Sequence, residues 1–520
     1  MVRAKRRGRE TGGPTRSLRP IEDGAFGVEE ARHLLNRAGF GGDAAQVRTV
    51  AAWGPKRAVE HLVRYDAVAY DQPMPAGYDA RIMAPLSPEE QARYRTALRN
   101  RDEEVVAAFR ARIQQAQARD REQIAGLQRW WLTRMIETPR PLEEKMTLFW
   151  HGHFATSYRT IENSHHMLMQ NEMFRKEAAG NFARLLFGII RDPAMLAYLN
   201  NNASRKGEPN ENLARELMEL FSLGVGGYSE DDIKEGARAL TGYTFEGDEF
   251  VFRRDWHDNG EKRILGKRGA LDGDDFARAI LEERRCSEFI AARLYRFFVA
   301  DLPEKMDDID PATRQVIDDL ARTLRTERYE LKPALERLFL SEHFYDEAFR
   351  GQQIKSPAQL VVQGIRSLRA PARDLGALTD AMELMGQDLF FPPSVAGWDG
   401  GRSWINTSTL FVRQNVMTYL LTGRKTGGFD ARAAQERFDP TWLVEELERG
   451  APGASRDPAA LCEYLLRAAV GRPAASAGWA GTPAHEQLLA FMAAHDNRVT
   501  PDLVTGLLAL ITAMPEYQLC

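Results

Sequence analysis

The chain has 520 residues, 43% of them hydrophobic, and a formal net charge of -4, so it can bury a large core and is not a disordered tail protein. Neither sign of charge dominates, which argues against nucleic acid as the main partner. No apolar run approaches about eighteen residues, so no membrane span is predicted. The three cysteines, Cys286, Cys462 and Cys520, have no CxxC spacing, which fits a reducing compartment and excludes a cysteine-based zinc ribbon.

In chain order, Arg3, Lys5, Arg6, Arg7, Arg9, Arg16 and Arg19 crowd into a Gly- and Pro-containing start, predicting a disordered basic arm over 1–24. Arg6-Arg7 is followed by "GRETGGPTRSLRP" rather than by an apolar region and cleavage site. No signal peptide is read, and the expected location is cytoplasmic. "GVEEARHLLNRAGFG" starts acidic and ends in glycines, the punctuation of a short helix. From Ser87 to about Trp131 the chain is rich in Ala, Arg, Glu and Gln behind a Ser-Pro-Glu-Glu start. That predicts one long charged helix over 87–131, or two in line, about 60 Å if unbroken. Its charges read most simply as a solvated face, and a partner-binding arm is the rarer reading.

Helices are predicted at 141–153, 161–190, 210–223 and 229–242, the last with Ser229 and Asp232 as N-cap and acidic third residue. Between 243 and 275 aromatic and β-branched residues alternate with polar ones between Gly and Asp turns, predicting a small hairpin near 243–270. Helical patterns resume at 275–300, 311–326, 331–341 and 355–369. The irregular loop "FFPPSVAGWDGGRSW" precedes a further helix, and a Gly-containing break at 424–434 precedes a last helical segment. The expected fold is mainly α, a large multi-helix globular bundle with a small β-hairpin insertion. Its expected domains are a main helical domain over 25–425 and a C-terminal helical segment, 426–520, packed on it. No repeat period stands out.

Several polar residues need explaining. In "PNENLARELMELFSLG", Leu213, Leu217, Leu220 and Phe221 form one apolar arc at roughly 100° per residue. Asn212, Glu216 and Glu219 run along its edge. Two carboxylates one turn apart repel by a few tenths of a kcal/mol, and half-buried they need a cation, an arginine or a metal. In "FWHGHF", His151 and His153 can supply two metal ligands from an extended backbone. On a helix they point about 200° apart, and Gly152 between them leaves both geometries open. The bland reading packs one histidine and exposes the other. His165-His166 carries a weaker signal, with Glu162 and Glu172 at helical spacing. "RDWHDNGEKRILGK" holds Asp255, His257, Asp258 and Lys262 but fails both the calcium-loop and the phosphate-loop patterns. Turn chemistry explains Asn259-Gly260 and leaves His257 and Asp258 as candidate catalytic residues. G-x-S-x-G, H-E-x-x-H and C-x-x-C-H are absent, and there is no haem or nucleotide motif.

Together "FWHGHFATS", "GNFARLLFGIIRDPAMLAYLNN", "NENLARELMELFSLGVGGYSEDDIKEGARALTGY", "HDNGEKRILG", "FPPSVAGWDGGRSWIN" and "PEYQL" resemble the large bacterial family labelled domain of unknown function 1800. The resemblance runs from about Ala31 to the C-terminus, in order. It implies a large, mainly helical protein. Many members carry export signals, implying an envelope or exported location, and many are encoded beside a sulfatase- or phosphatase-like partner. No reaction is established for the family, so no catalytic role carries over. The signature blocks hold His151, His153, Asn210, Glu211, Glu216, Glu219, His257 and Asp258, an association that raises the expectation that they converge.

Two readings follow. The first is a metal-dependent enzyme, a hydrolase or oxidase, with His151, His153, Glu216 and Glu219 binding a divalent metal ion and His257 or Asp258 as base. Helical bundles build such sites, although their usual signature is Glu-x-x-His and this chain offers Glu-x-x-Glu. The alternative is a non-catalytic helical binding or assembly protein acting with a partner. In it Glu216 and Glu219 form a buried network with Arg215, Arg184 or Arg238, and the long charged helix and the 390–405 loop bind partners. A third idea is a carbohydrate or peptide groove lined by Trp398 and Trp404. Asn210, Glu211, Asn212 and Lys262 complete the candidate residues.

Overall fold

The computed structural model describes residues 15–303, 308–433, 436–471 and 478–520. Residues 1–14 of the expected basic arm lie outside them. From Thr15 onward the arm reading is corrected, because the segment has apolar residues to bury. Leu18 and Ile21 are in the core, Ile21 N–H donates to the Leu340 carbonyl at 2.8 Å, and Thr15 Oγ1 donates to Asp346 at 2.9 Å.

Helices dominate, as their periodicity predicts, and they enclose two apolar cores. The first joins Leu18–Tyr65 to the helices between Phe174 and Phe349. The second joins Ile124–Met135 to Ala358–Leu421 and to Leu461–Tyr517, so helices on both sides of residue 425 share one core. The helix Pro141–His153 runs between the two. Pro141 occupies its first turn, where a missing N–H costs nothing. Leu142, Met146, Phe149 and Trp150 face the first core, and Leu148 faces the second. A helix buried on every side also buries its charges. Glu144, fully enclosed, accepts from Arg134 Nε at 2.8 Å, Arg175 Nε at 2.7 Å and Trp131 Nε1 at 2.9 Å. Burial alone would raise this carboxyl, but the two guanidiniums hold it below its ordinary range.

The predicted rod over 87–131 is instead a hairpin of helices, Pro88–Asn100 and Glu103–Glu137. Arg101 turns the chain in the left-handed conformation and Asp102 caps the second helix, an N-cap that breaks the run. Tyr94 packs on Phe109 with tilted rings 5.2 Å apart and Glu90 pairs with Arg112, so the helices are antiparallel. The single predicted hairpin is two. β1 (Tyr243–Glu246) pairs antiparallel with β2 (Glu249–Phe252), and β3 (Lys262–Ile264) with β4 (Lys267–Gly269). The second turn, Leu265-Gly266, has positive φ at both residues, the geometry that suits a two-residue connection. Among the described residues no helix is long and apolar enough to cross a membrane.

Candidate functional site

His151 and His153 both lie on the helix Pro141–His153, so the 200° separation applies and the two rings enter different cores. His151 sits among Trp131, Phe390 and Trp398, with ring centroids 5.4–5.6 Å away. Its Nε2 accepts the Phe390 N–H at 3.1 Å, and burial pushes its pKa down to about 3. His153 Nε2 lies 2.9 Å from the Phe221 carbonyl. A carbonyl can only accept, so Nε2 carries the proton and Nδ1 keeps its lone pair. That Nδ1 is buried without a partner. Burial, and then the charge of Arg293, hold the imidazole neutral.

Phe221 belongs to a π-helical turn, Glu219–Leu223, that continues the helix Asn212–Met218 and ends at Gly224 with φ 72°. Ser222 Oγ donates to the Leu217 carbonyl and His153 to that of Phe221, so side chains satisfy carbonyls there. Such turns are frequent at functional positions. Leu213, Leu217 and Phe221 are buried as the apolar arc predicts, while Glu216 and Glu219 are half-buried and Asn212 is exposed. Glu219 accepts the Tyr228 hydroxyl at 2.6 Å. Burial, then the charge of Glu219, raises the Glu216 carboxyl above its ordinary value.

The structure does not bring His151, His153, Glu216 and Glu219 together as one ligand set. Among the described residues no group of three or more His, Cys, Asp or Glu side chains is placed to hold a metal ion. The expected arginine network around Glu216 and Glu219 is also corrected. Arg215 pairs with Glu230 and Glu211, Arg184 with Glu177 and Glu330, and Arg238 with Glu235 and Asp258. The buried ionic network forms at Glu144 instead.

His257 and Asp258, between β2 and β3, staple that segment to Thr241 and to the helix Glu230–Ala239. His257 Nδ1 donates to the Thr241 carbonyl at 2.8 Å, and Asp258 accepts from Arg238 Nε and from the Gly260 N–H, each at 2.8 Å. The Arg238 hydrogen bond holds the Asp258 carboxyl down to about 2, which makes it a poor base at neutral pH. Lys262 is buried and donates to the Asp258 and Gly260 carbonyls. Asn210 accepts the Asn212 N–H at 2.9 Å and opens the helix, and Glu211 pairs with Arg215. His166 Nε2 lies 3.0 Å from Asp248 and pins the β1–β2 turn. The open groove expected from Trp398 and Trp404 is corrected too. Trp404 is buried, and half-buried Trp398 lies against Gly152.

Sequence reasoning passed over a cleft of about 260 Å³ lined by Gln117, Asp120, Arg121, Tyr158, Arg159, Glu162 and Phe391. Its floor is Asp120, fully buried, which accepts from the Tyr158 hydroxyl at 2.7 Å and from the N–H and hydroxyl of Ser164. Asp120 falls in one stripe with Ile124, Leu127 and Trp131, all buried, so a carboxylate at a core position was the available signal. Phe390, held at φ 68°, joins this cleft to His151: its N–H meets the imidazole and its carbonyl accepts the Tyr158 N–H at 2.9 Å. Beside it burial, then Glu383, pushes the Asp388 carboxyl up to about 7, and Gln128 donates to it at 2.6 Å.

No curated protein and no solved structure matches the chain. Residues 33–519, the span that holds the second core, most of the first, the π-helical turn and the docked tryptophan loop, match the family described as "Protein of unknown function (DUF1800)", and the chain belongs to that family.

Proposed function

We propose that this chain is a non-catalytic helical binding or assembly protein, and that its charged helical hairpin engages a protein partner. The carrying observation is the exposure of the hairpin. In Pro88–Asn100 only Ala97 is buried, and between Glu103 and Arg119 only Val106 and Phe109 are. Two antiparallel helices with so small a shared core contribute little to the stability of the body. They project roughly 20–25 Å of surface at 1.5 Å per residue. Leu98 and Ile113 are exposed on them, at 46% and 37%, among Arg93, Arg95, Arg99, Arg110 and Arg112 and the carboxylates Glu89, Glu103 and Glu104. Separate exposed apolar residues among charges of both signs suit a protein surface better than a polyanion. His151, His153 Nε2 and Glu219 are engaged by a backbone N–H, a backbone carbonyl and a tyrosine, and among the described residues no three ligating side chains are grouped to hold a metal ion, which supports the binding reading over the enzymatic one.

Family resemblance supplies the partner class, a sulfatase- or phosphatase-like protein encoded alongside. The test is co-expression with such a neighbour and measurement of the complex by light scattering. Leu98→Asp/Ile113→Asp is expected to weaken association by more than about tenfold without changing the circular dichroism or melting temperature of the chain alone. Association equal to wild type in that variant overturns the proposal.

A further inference from the structure

The cleft over Asp120 lies between two stretches of chain whose charges do not meet. Gln117 and Arg121, one helical turn apart on Glu103–Glu137, line one wall. Arg159 and Glu162, on and just after the helix Tyr158–Ile161, line the other. The floor between them is Tyr158, a buried ring that meets Phe391 edge-on with centroids 5.3 Å apart. Its hydroxyl is held by Asp120, and its N–H donates to the Phe390 carbonyl, which ties the Phe391 loop to that wall. The aromatic surface is therefore fixed before any ligand arrives.

The charges above it are unequally engaged. The Arg159 guanidinium lies 5.8 Å from the centroid of Phe391 and 3.7 and 3.9 Å from Glu383 and Asp388, so it is already compensated. Arg121 and Glu162 are exposed. Among the described residues neither side chain makes a hydrogen bond or ion pair, with the other or elsewhere, and the half-buried Gln117 amide is equally unengaged. Both charges act on the Tyr158 hydroxyl, in opposite senses. The cleft thus leaves one cation and one anion on opposite walls of an aromatic floor. A cavity of about 150 Å³ holds benzene, so about 260 Å³ has room for roughly ten non-hydrogen atoms.

We propose that this cleft binds a free α-amino acid with an apolar side chain, its carboxylate on Arg121 and the Gln117 amide, its ammonium on Glu162, and its side chain against Tyr158 and Phe391. A guanidinium and an amide are the donors that suit a carboxylate, and an aromatic floor suits an aliphatic or aromatic side chain. Both charges are needed for the match. A simple acid would set its carboxylate near an unanswered Glu162, and a simple amine would set its ammonium near an unanswered Arg121.

The experiment is isothermal titration of the full chain at pH 7.5 with leucine, isocaproate, isoamylamine and glycine. Isocaproate lacks the ammonium of leucine, isoamylamine lacks its carboxylate, and glycine lacks its side chain. Leucine is expected to bind saturably and at least about tenfold more tightly than any of the three. Arg121→Gln is expected to reduce leucine to the affinity of the amine while leaving the amine unchanged, and Glu162→Gln to reduce it to that of the acid while leaving the acid unchanged. Both side chains are exposed, so the variants are expected to keep the wild-type circular dichroism, and a merely structural role would move every ligand alike. No leucine binding tighter than about 10 mM, equal binding of the acid or the amine, or wild-type leucine affinity in both variants would overturn the proposal.

Discussion

Asp192 shows how one buried side chain sets a pH dependence. It caps the helix Pro193–Tyr198 through the Met195 N–H at 2.8 Å and accepts Gln170 Nε2 at 2.7 Å, but no cation faces it, and burial pushes its pKa up to about 7. A carboxyl raised in the folded state binds its proton more tightly there than in the unfolded chain. Its contribution is intact below its unfolded value near 4 and is lost as pH rises toward 7. Asn caps a helix as well as Asp, so Asp192→Asn is expected to raise the melting temperature by several degrees more at pH 8 than at pH 4, checked by calorimetry at both. A pH-independent change would mean that Asp192 ionises freely. The same reasoning explains what was legible at the candidate site. Glu216 and Glu219 stand at the edge of the apolar arc, as spacing alone predicts. Their partners were not legible, because Tyr228 and the pairing of Arg215 with Glu230 depend on how the chain folds back after Gly224.

Among elements, the loop 391–400 and the helix Pro141–His153 are joined by a backbone contact that only glycine permits. Gly397 has φ 79°, and a Cβ there would lie 2.0 Å from the Gly152 carbonyl oxygen. Gly397→Ala is therefore expected to destabilise the protein by about 2 kcal/mol or more, from strain in the left-handed region and forced retreat of the loop, measured by urea unfolding. A loss below about 0.5 kcal/mol would show that the loop is not held by this contact. The glycines of "FWHGHF" and "SVAGWDGG" are visible in the sequence, but periodicity carries no information about two loops approaching each other. The helical hairpin teaches the complementary lesson. Asn100-Arg101-Asp102 followed by two glutamates is a local helix start, so the break was legible at Asp102, where composition suggested one rod.

Across the whole molecule, Glu144 ties three helices where the two cores meet. Arg134 reaches it from Glu103–Glu137 and Arg175 from Ser164–Lys176. Removing one partner of a buried ionic group leaves the others uncompensated. Glu144→Gln is expected to cost about 3–5 kcal/mol, read from denaturant midpoints, with both transitions still coincident by fluorescence and circular dichroism. A cost under about 1 kcal/mol would mean that water screens the arginines. What the amino-acid sequence determined by itself is local: helical spacing, caps, turn residues and the mainly α class, because these depend on neighbours within a few positions. The tertiary structure alone decided that His151 and His153 serve different cores, that Glu144 rather than Glu216 anchors the ionic network, and that Asp120 floors a cleft. Each of these depends on which distant elements pack against one another; periodicity marks the face that is buried but not its partner.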